Sequence, residues 1–437
     1  MGQYTQADRP MAVKMEKLGD DDLLLERFTG HEAISELFHF RLEMLAEDEK
    51  AIDFGKVLGQ KVKVVLRYDP PRLLGFQPLP ELRSFHGIIK RLSQGGYVHE
   101  GEDKFFRFEA EMVPALWLLT KRVQSRTFQH KTVPEILLQV LKQEWQLDVV
   151  DALDKQKAKF YPRDYCVQYR ESDFTFVSRL MEEEGIFYYF RHTDEKHQIV
   201  LGNTPQAHDE LHHRKPQEKT EEPDKVSYKE DPAEDCVHGW VKHQEACTGK
   251  VTLWDSCFEL PGQNLAAERT VTEQMQVGAS RHDLRLSSPQ LLEHYDYPGG
   301  YAQHFDGVAP GGMDRAADLK HIYEDKDRIA TIRMQEEEAA ALRIDGASHC
   351  RHFGAGRRFQ LDGHFNADDA YVLTRVEHDA SIQGTYRSGS PGPCPTARSG
   401  SPPSRPSRGR RQPWWSAWNR SPTAPRTAAA SWTSTAG

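Results

Sequence analysis

The chain has 437 residues, with 57 basic against 66 acidic side chains and a formal net charge of −9. Apolar residues are 38% of the total, and no apolar run approaches the ~20 residues a membrane-spanning helix needs. A polytopic membrane protein, a collagen-like chain and a disulfide scaffold are therefore excluded. The length predicts two or three domains at roughly 150 residues each.

The N-terminal stretch MGQYTQADRPMAVKMEKLGDDDLLLE has no charged-then-apolar signal pattern, so any export is expected to avoid the ordinary signal-peptide route. Residues 11–45 read as strands. Within them Phe38, Phe40, Leu42 and Met44 alternate with His39, Arg41 and Glu43, the pattern of a half-buried antiparallel strand. Residues 61–68, 84–93 and 104–114 complete a β-rich block, with Gln94–Gly96 read as the turn between the last two.

From residue 116 to 185 the pattern changes. Thr132, Pro134 and Glu135 mark a helix start, followed by apolar residues at helical spacing. A second helix starts at Ser172–Asp173, carries Phe174, Phe176, Val177, Leu180 and Met181 at helical spacing, and ends at Gly185. Two strands, 186–191 and 198–201, come next. Residues 203–235 are polar and Pro-punctuated, a long surface loop. Strands resume at 237–243, 250–254, 357–361 and 370–378, and residues 314–341 form either one long helix or a two-helix hairpin. The hexapeptides FHGIIK (85–90) and VHGWVK (237–242) hint at a duplicated β unit.

Residues 388–437 are different material. They hold ten Ser, nine Pro, seven Arg, seven Ala and four Trp, and no Leu, Ile, Val, Met or Phe. Without aliphatic side chains nothing offsets the entropy of ordering, so a disordered tail is expected. Its composition is also what a GC-rich gene gives when read out of frame, and a frameshift near codon 388 is the preferred origin. The tail carries +7, so the first 387 residues carry −16, from 50 basic and 66 acidic side chains. An acidic body argues against broad nucleic-acid binding.

No nucleophile elbow, zinc-protease helix, phosphate-binding loop or dinucleotide fingerprint is present. Gly354 and Gly356 read as a turn before a strand. His208, His212 and His213 read as part of a solvated loop, not a metal site. Glu182–Glu184 read as a solvated helix end. The aromatic run Phe187–Phe190 reads as a strand with one face in the core. The six cysteines, none spaced C-x-x-C, read as reduced thiols.

The run DYCVQYRESDFTFVSRLMEEEGIFYYFRHTDEKHQIVLGN (164–203) strongly resembles the signature of the VgrG family, the spike proteins of the bacterial type VI secretion system. Supporting stretches are LLLERFTGHEAISELFHFRLEML (23–45), FHGIIKRLSQ (85–94), YDYPGGY (295–301) and ASHCRHFGAGRRFQLDGHFNADDAYVLTRVEHDA (347–380). The resemblance spans about residues 10–387 and is to the hub portion, shared with contractile phage tails. It implies a mainly β fold with an α+β insert: two similar antiparallel β-barrel domains per chain, in a trimer with a pseudo-six-fold ring. The first barrel would occupy 10–115, completed by strands within about 185–225. The insert would occupy 116–185 and the second barrel, with its helical segment, 230–387.

The family-signature positions, Tyr169, Arg170, Glu171, Ser172, Asp173, Phe174, Leu180, Glu183, Gly185 and Ile186, would be structural. No catalytic residue, cofactor or metal is implied. The implied role is the structural hub of the secretion tip, which caps the inner tube and helps puncture target membranes and deliver effectors. Its partners would be two further copies of itself, tube and baseplate proteins and effector cargo, with transient membrane contact only and no nucleic acid. It would assemble in the bacterial cytoplasm and leave through the apparatus. The alternative is a hub of a prophage contractile tail. The family pattern stops near Tyr386–Arg387, so the chain is expected to lack the OB-fold and β-helix needle that follow in the family.

Sequencing the gene from about codon 380 past its stop tests the frameshift. A single-base change is expected to restore a frame rich in Val, Ile, Gly and Asp, and three frames without such a continuation would refute it.

Overall fold

The computed structural model describes residues 4–7, 9–47, 52–68, 81–100, 103–156, 159–211, 225–231, 235–258, 260–286, 291–305, 316–382 and 427–436. The fold is mainly β. The first block comprises β1 (Met11–Met15), β2 (Leu24–Ala33), β3 (His39–Glu47), β4 (Lys61–Tyr68), β5 (Glu81–Glu100) and β6 (Asp103–Val113). Their spatial order is β1-β4-β5-β6-β3-β2, antiparallel throughout. The alternation in β3 does what its period predicts. Phe40, Leu42 and Met44 have no exposed surface, Arg41 faces out, and Phe40 packs against Phe28, Phe38 and Phe85. Gln94–Gly96 is not a turn. β5 continues to Glu100, and the ladder to β6 shifts register between Gln94 and Tyr97. The two glycines supply a bulge, which lets a strand bend without ending.

Residues 123–202 hold β7 (Val123–Phe128), α1 (Val133–Leu138), β8 (Val149–Asp151), β9 (Cys166–Ser172), α2 (Asp173–Glu184), β10 (Phe187–His192) and β11 (His197–Gly202). Thr132 and Glu135 close a reciprocal capping box on α1, and the helix runs on as a π turn over Gln139–Glu144. β10 is buried on both faces, not one. Tyr188 and Phe190 join the first core, while Phe187 and Tyr189 pack with Ile34, Val200 and Ala355. With the first core on one side and Ile34, Ala355 and Val372 on the other, the strand is covered twice, which explains its unbroken aromatic run.

The remaining elements are β12 (Asp209–Glu210), β13 (Lys225–Tyr228), β14 (Cys236–Gln244), β15 (Lys250–Leu253), β16 (Ala267–Thr270), β17 (Gln274–Val277), β18 (Ser280–Asp283) and β19 (Glu293–Asp296). After them come α3 (Ala316–Ala339), β20 (Leu342–Ser348), β21 (Arg357–Asp362), β22 (Ala370–Ser381) and β23 (Thr427–Ala436). Residues 316–339 are thus one helix, not a hairpin. The strands pair in a cycle, β22-β23-β20-β14-β13-β21 and back to β22. This block is mixed rather than antiparallel: β13 runs parallel to β14 and β21, and β23 parallel to β20 and β22. The parallel neighbours β22 and β23 are joined by the chain between 382 and 427, well beyond the dozen residues a crossover usually takes, whereas only residues 229–235 separate the parallel pair β13 and β14. The tail expected to be disordered therefore contributes a strand over 427–436; its residues 388–426 lie outside the described residues. The repeat is only local: FHGIIK lies in β5 and VHGWVK in β14, where Gly239 adopts φ +63° at a register shift.

β2 and β22 form the antiparallel seam between the blocks, from Arg27↔Ser381 to Ala33↔Arg375. Gly30 lies in that seam with φ +147°, and a Cβ there would stand 2.1 Å from the His39 carbonyl oxygen. Gly30→Ala is expected to lower stability by at least the ~1–3 kcal/mol of such a backbone conformation, read as a lower urea midpoint.

Candidate functional site

The signature begins on a two-stranded ribbon in which β9 pairs with β7. Tyr169 is exposed and opposite Ser125. Arg170 takes φ +52° beside the ribbon's register shift, and its N–H donates to Ser125 Oγ at 3.2 Å. Glu171 accepts from Arg179 at 2.6 Å. Ser172 Oγ accepts from the Thr175 N–H at 3.0 Å and so caps α2.

Asp173, in the first turn, has no exposed surface. It accepts from Gln168 Nε2 at 2.9 Å, Trp145 Nε1 at 2.8 Å, Arg122 Nε at 2.5 Å and Arg126 at 3.4 Å. Glu144 balances the two arginines, at 2.7 Å from Arg122 and 2.6 Å from Arg126. Burial alone would raise the Asp173 pKa, but hydrogen bonds from Gln168, Trp145 and Arg122 outweigh it and hold the carboxyl below its usual range.

The other end of α2 closes with Gly185 at φ +71°, and the Ile186 N–H reaches back to the Met181 carbonyl at 2.8 Å. Here the expectation of a solvated acidic end fails. Arg163, itself buried, bonds Glu183 and Glu184 at 2.6 Å each. Glu184 also meets Arg328 of α3 at 2.8 Å, Arg328 Nε bonds Asp325 at 3.0 Å, and Asp325 meets His304 at 2.8 Å. Burial would raise the Glu183 pKa, but the Arg163 charge lowers it. The three carboxylates diverge, as adjacent helical positions must. Glu183 and Glu184 nevertheless meet cations because α3 and the 159–165 segment pack over that end.

Phe174 is half-buried against the core, and Leu180 and Ile186 lie within it. The signature residues thus form one corner, β9–α2–β10, with Tyr169 and Arg170 on its outer side. Sequence reading missed Arg122, Arg126, Trp145, Arg163 and Arg328, whose roles exist only through partners distant in the chain. His208 is no solvated loop residue: it stacks on Phe187 with centroids 4.8 Å apart and shares a 3.1 Å hydrogen bond with the Gly356 carbonyl. Burial lowers its pKa to about 4. His212 and His213 lie outside the described residues. Among the described residues, Cys166, Cys236, Cys247, Cys257 and Cys350 form no disulfide.

The family model of the phage tail baseplate hub (GPD) matches residues 31–384. The chain belongs to that family. This baseplate-hub chain is also 32% identical over 380 residues to the type VI secretion system spike protein VgrG1a of Pseudomonas aeruginosa, covering 86% of the chain and 50% of that protein. It is 29% identical over 379 residues to the actin cross-linking toxin VgrG1 of Vibrio cholerae, covering 84% of the chain and 30% of that protein. The chain thus spans about half the length of the Pseudomonas relative. A solved E. coli protein, c3393, described as a type VI secretion component resembling the T4 tail proteins gp27 and gp5, superposes with a TM-score of 0.52 at 19% identity. That superposition covers 84% of this chain and 73% of that one, and it shows the shared fold.

Asp173 makes the corner acid-sensitive. A carboxyl with a depressed native pKa contributes stability at pH values above its unfolded pKa near ~3.9, lost as pH falls through the lower native value. Asp173→Asn, which leaves Arg122 and Arg126 to Glu144 alone, is expected to cost about 1–3 kcal/mol at neutral pH. It is also expected to flatten the acid limb of stability against pH, followed by denaturant titration between pH 3 and 7.

Proposed function

We propose that this chain is the structural hub of a type VI secretion tip spike, seated on the inner tube and helping to breach target membranes and deliver effectors. The observation that carries the reading is the similarity to the VgrG1a spike protein along 380 residues, across both strand blocks and the insert. The run β1-β4-β5-β6-β3-β2 and the cycle through β22 supply two sheet units per chain. Read as two barrels, 10–115 with later strands and 230–387, three copies give six units, a match to a six-fold tube. The 116–185 insert, with Tyr169 to Ile186, then has a structural role: its buried carboxylates Asp173 and Glu184 are committed to arginines. The reading assigns the chain no catalytic step, and the cross-linking named for the Vibrio relative stays with that protein. Its partners would be two more copies, tube and baseplate proteins and effector cargo. Assembly would take place in the bacterial cytoplasm, with exit through the apparatus.

A second reading, the hub of a prophage contractile tail, is favoured by the description of the matching family itself. The two readings differ in the tube they cap.

The full chain is expected to elute with the mass of three copies in size-exclusion chromatography with light scattering. It is also expected to co-sediment with assembled secretion tube protein. A monomer at tens of micromolar, bound to no tube, would overturn the hub reading; trimers that bind only a phage tube would select the second.

A further inference from the structure

A cavity of about 110 Å³ opens where β2, β5 and β10 meet the loop before β21. Its charged lining is two carboxylates, Glu32 and Asp194, and two guanidiniums, Arg83 and Arg357. Arg83 is held by Glu32 Oε1 at 3.3 Å, by the Arg351 carbonyl and by the face of Phe85 at 4.5 Å. Glu32 is buried and already shared with His378 Nε2 at 2.9 Å. Arg357 also lines the cavity, and its guanidinium has no carboxylate partner among the described residues. The other lining carboxylate, Asp194, is exposed to solvent.

His192 lines the same cavity as a neutral ring. The His86 backbone N–H donates to its Nδ1 at 3.0 Å, so the neutral imidazole carries its proton on Nε2. That Nε2 is buried out of reach of water and has no acceptor among the described residues. The ring is kept neutral: burial first, then nearby imidazoles and the Arg83 and Arg357 guanidiniums, push its pKa well below the usual histidine range. Gly354 completes the wall. A methyl group there would stand 3.3 Å from Arg83 Nη2, 3.4 Å from Glu32 Oε1 and 3.6 Å from Arg357 Nε, so both guanidiniums and the Glu32 carboxylate reach one point beside a residue that leaves room.

A guanidinium without a carboxylate partner among the described residues, a second guanidinium beside it and room for several waters describe a receptor for one small anion. We propose that this cavity is an oxyanion site that takes one phosphate- or carboxylate-sized group, with Arg357 and Arg83 as its donors. The bound group would touch strands of both sheet blocks and so stabilise their junction. This inference does not depend on the hub reading.

Thermal unfolding of the full chain tests it at constant ionic strength, with chloride replaced stepwise by inorganic phosphate in one arm and by acetate in the other. The wild-type midpoint is expected to rise with the logarithm of oxyanion concentration above half-saturation. Arg357→Gln is expected to raise the half-saturating concentration about ten-fold or more, the loss of one charge-assisted contact. Gly354→Ala, which fills the cavity without removing a charge, is expected to do the same and keeps the test valid if the arginine variant misfolds. A response to phosphate alone would identify a phosphate-sized ligand. A response to acetate would identify a carboxylate, such as a chain end. No response in either arm, or one of equal size in wild type and both variants, would overturn the site.

Discussion

Asp173 is a carboxylate without exposed surface at the point where a strand becomes a helix, and the insert is arranged around satisfying it. Four donors converge on it: Arg122 before β7, Arg126 within β7, Trp145 after the π turn and Gln168 in β9. An ionised carboxylate removed from water costs several kcal/mol unless its oxygens are fully engaged, so the donors cannot drift independently. Their convergence sets where the β7–β9 ribbon shifts register, where α1 unwinds into its π turn and where α2 starts. The carboxylate also lies in the first turn of α2, where the helix dipole favours negative charge.

The caps of α1 and α2 were legible in the sequence because capping is local. Thr132 with Glu135, and Ser172 with Gly185, complete their bonds within a few residues, and the structure has both helices where those residues place them. The same locality explains the misses. Asp173 was read as part of a polar helix start, yet the arginine that matters most to it lies 51 residues away. Glu184 was read as solvated because helix-end rules consider neighbours three or four positions off, whereas Arg328 belongs to another helix. Gln94–Gly96 has the composition of a turn, and only the partner strand shows that the chain bulges and continues. The four-residue strands β16 to β19 are too short for an alternation signal.

The seam between β2 and β22 makes the two blocks one sheet. Its register is held by the backbone ladder and by polar pairs on both faces. Arg27 meets Asp379 at 2.9 Å on the exposed face, where an ion pair contributes at most ~1 kcal/mol. On the buried face Glu32 meets His378, and Arg83 of β5 joins them. A one-residue slip would send Glu32 to the opposite face and strand His378 and Arg83 without a carboxylate. The buried triad therefore contributes more to the choice of register than to net stability.

A similar argument applies to α2 as a connection between distant parts of the chain. Its N-terminal end is anchored to the insert through Asp173, and its C-terminal end to α3 through Glu184 and Arg328. Apolar contacts alone would tolerate sliding, because dispersion is non-directional and a displaced leucine finds other carbons. A buried carboxylate between two guanidiniums tolerates little: a displacement of one helical residue would leave charges unpaired in a low-dielectric interior, at a cost well above that of the exposed pairs. Ionic anchors at both ends of one short helix thus trade some net stability for a fixed position. In a hub proposed to take force from the tube beneath it, that trade favours the geometry of the corner over the strength of any single contact.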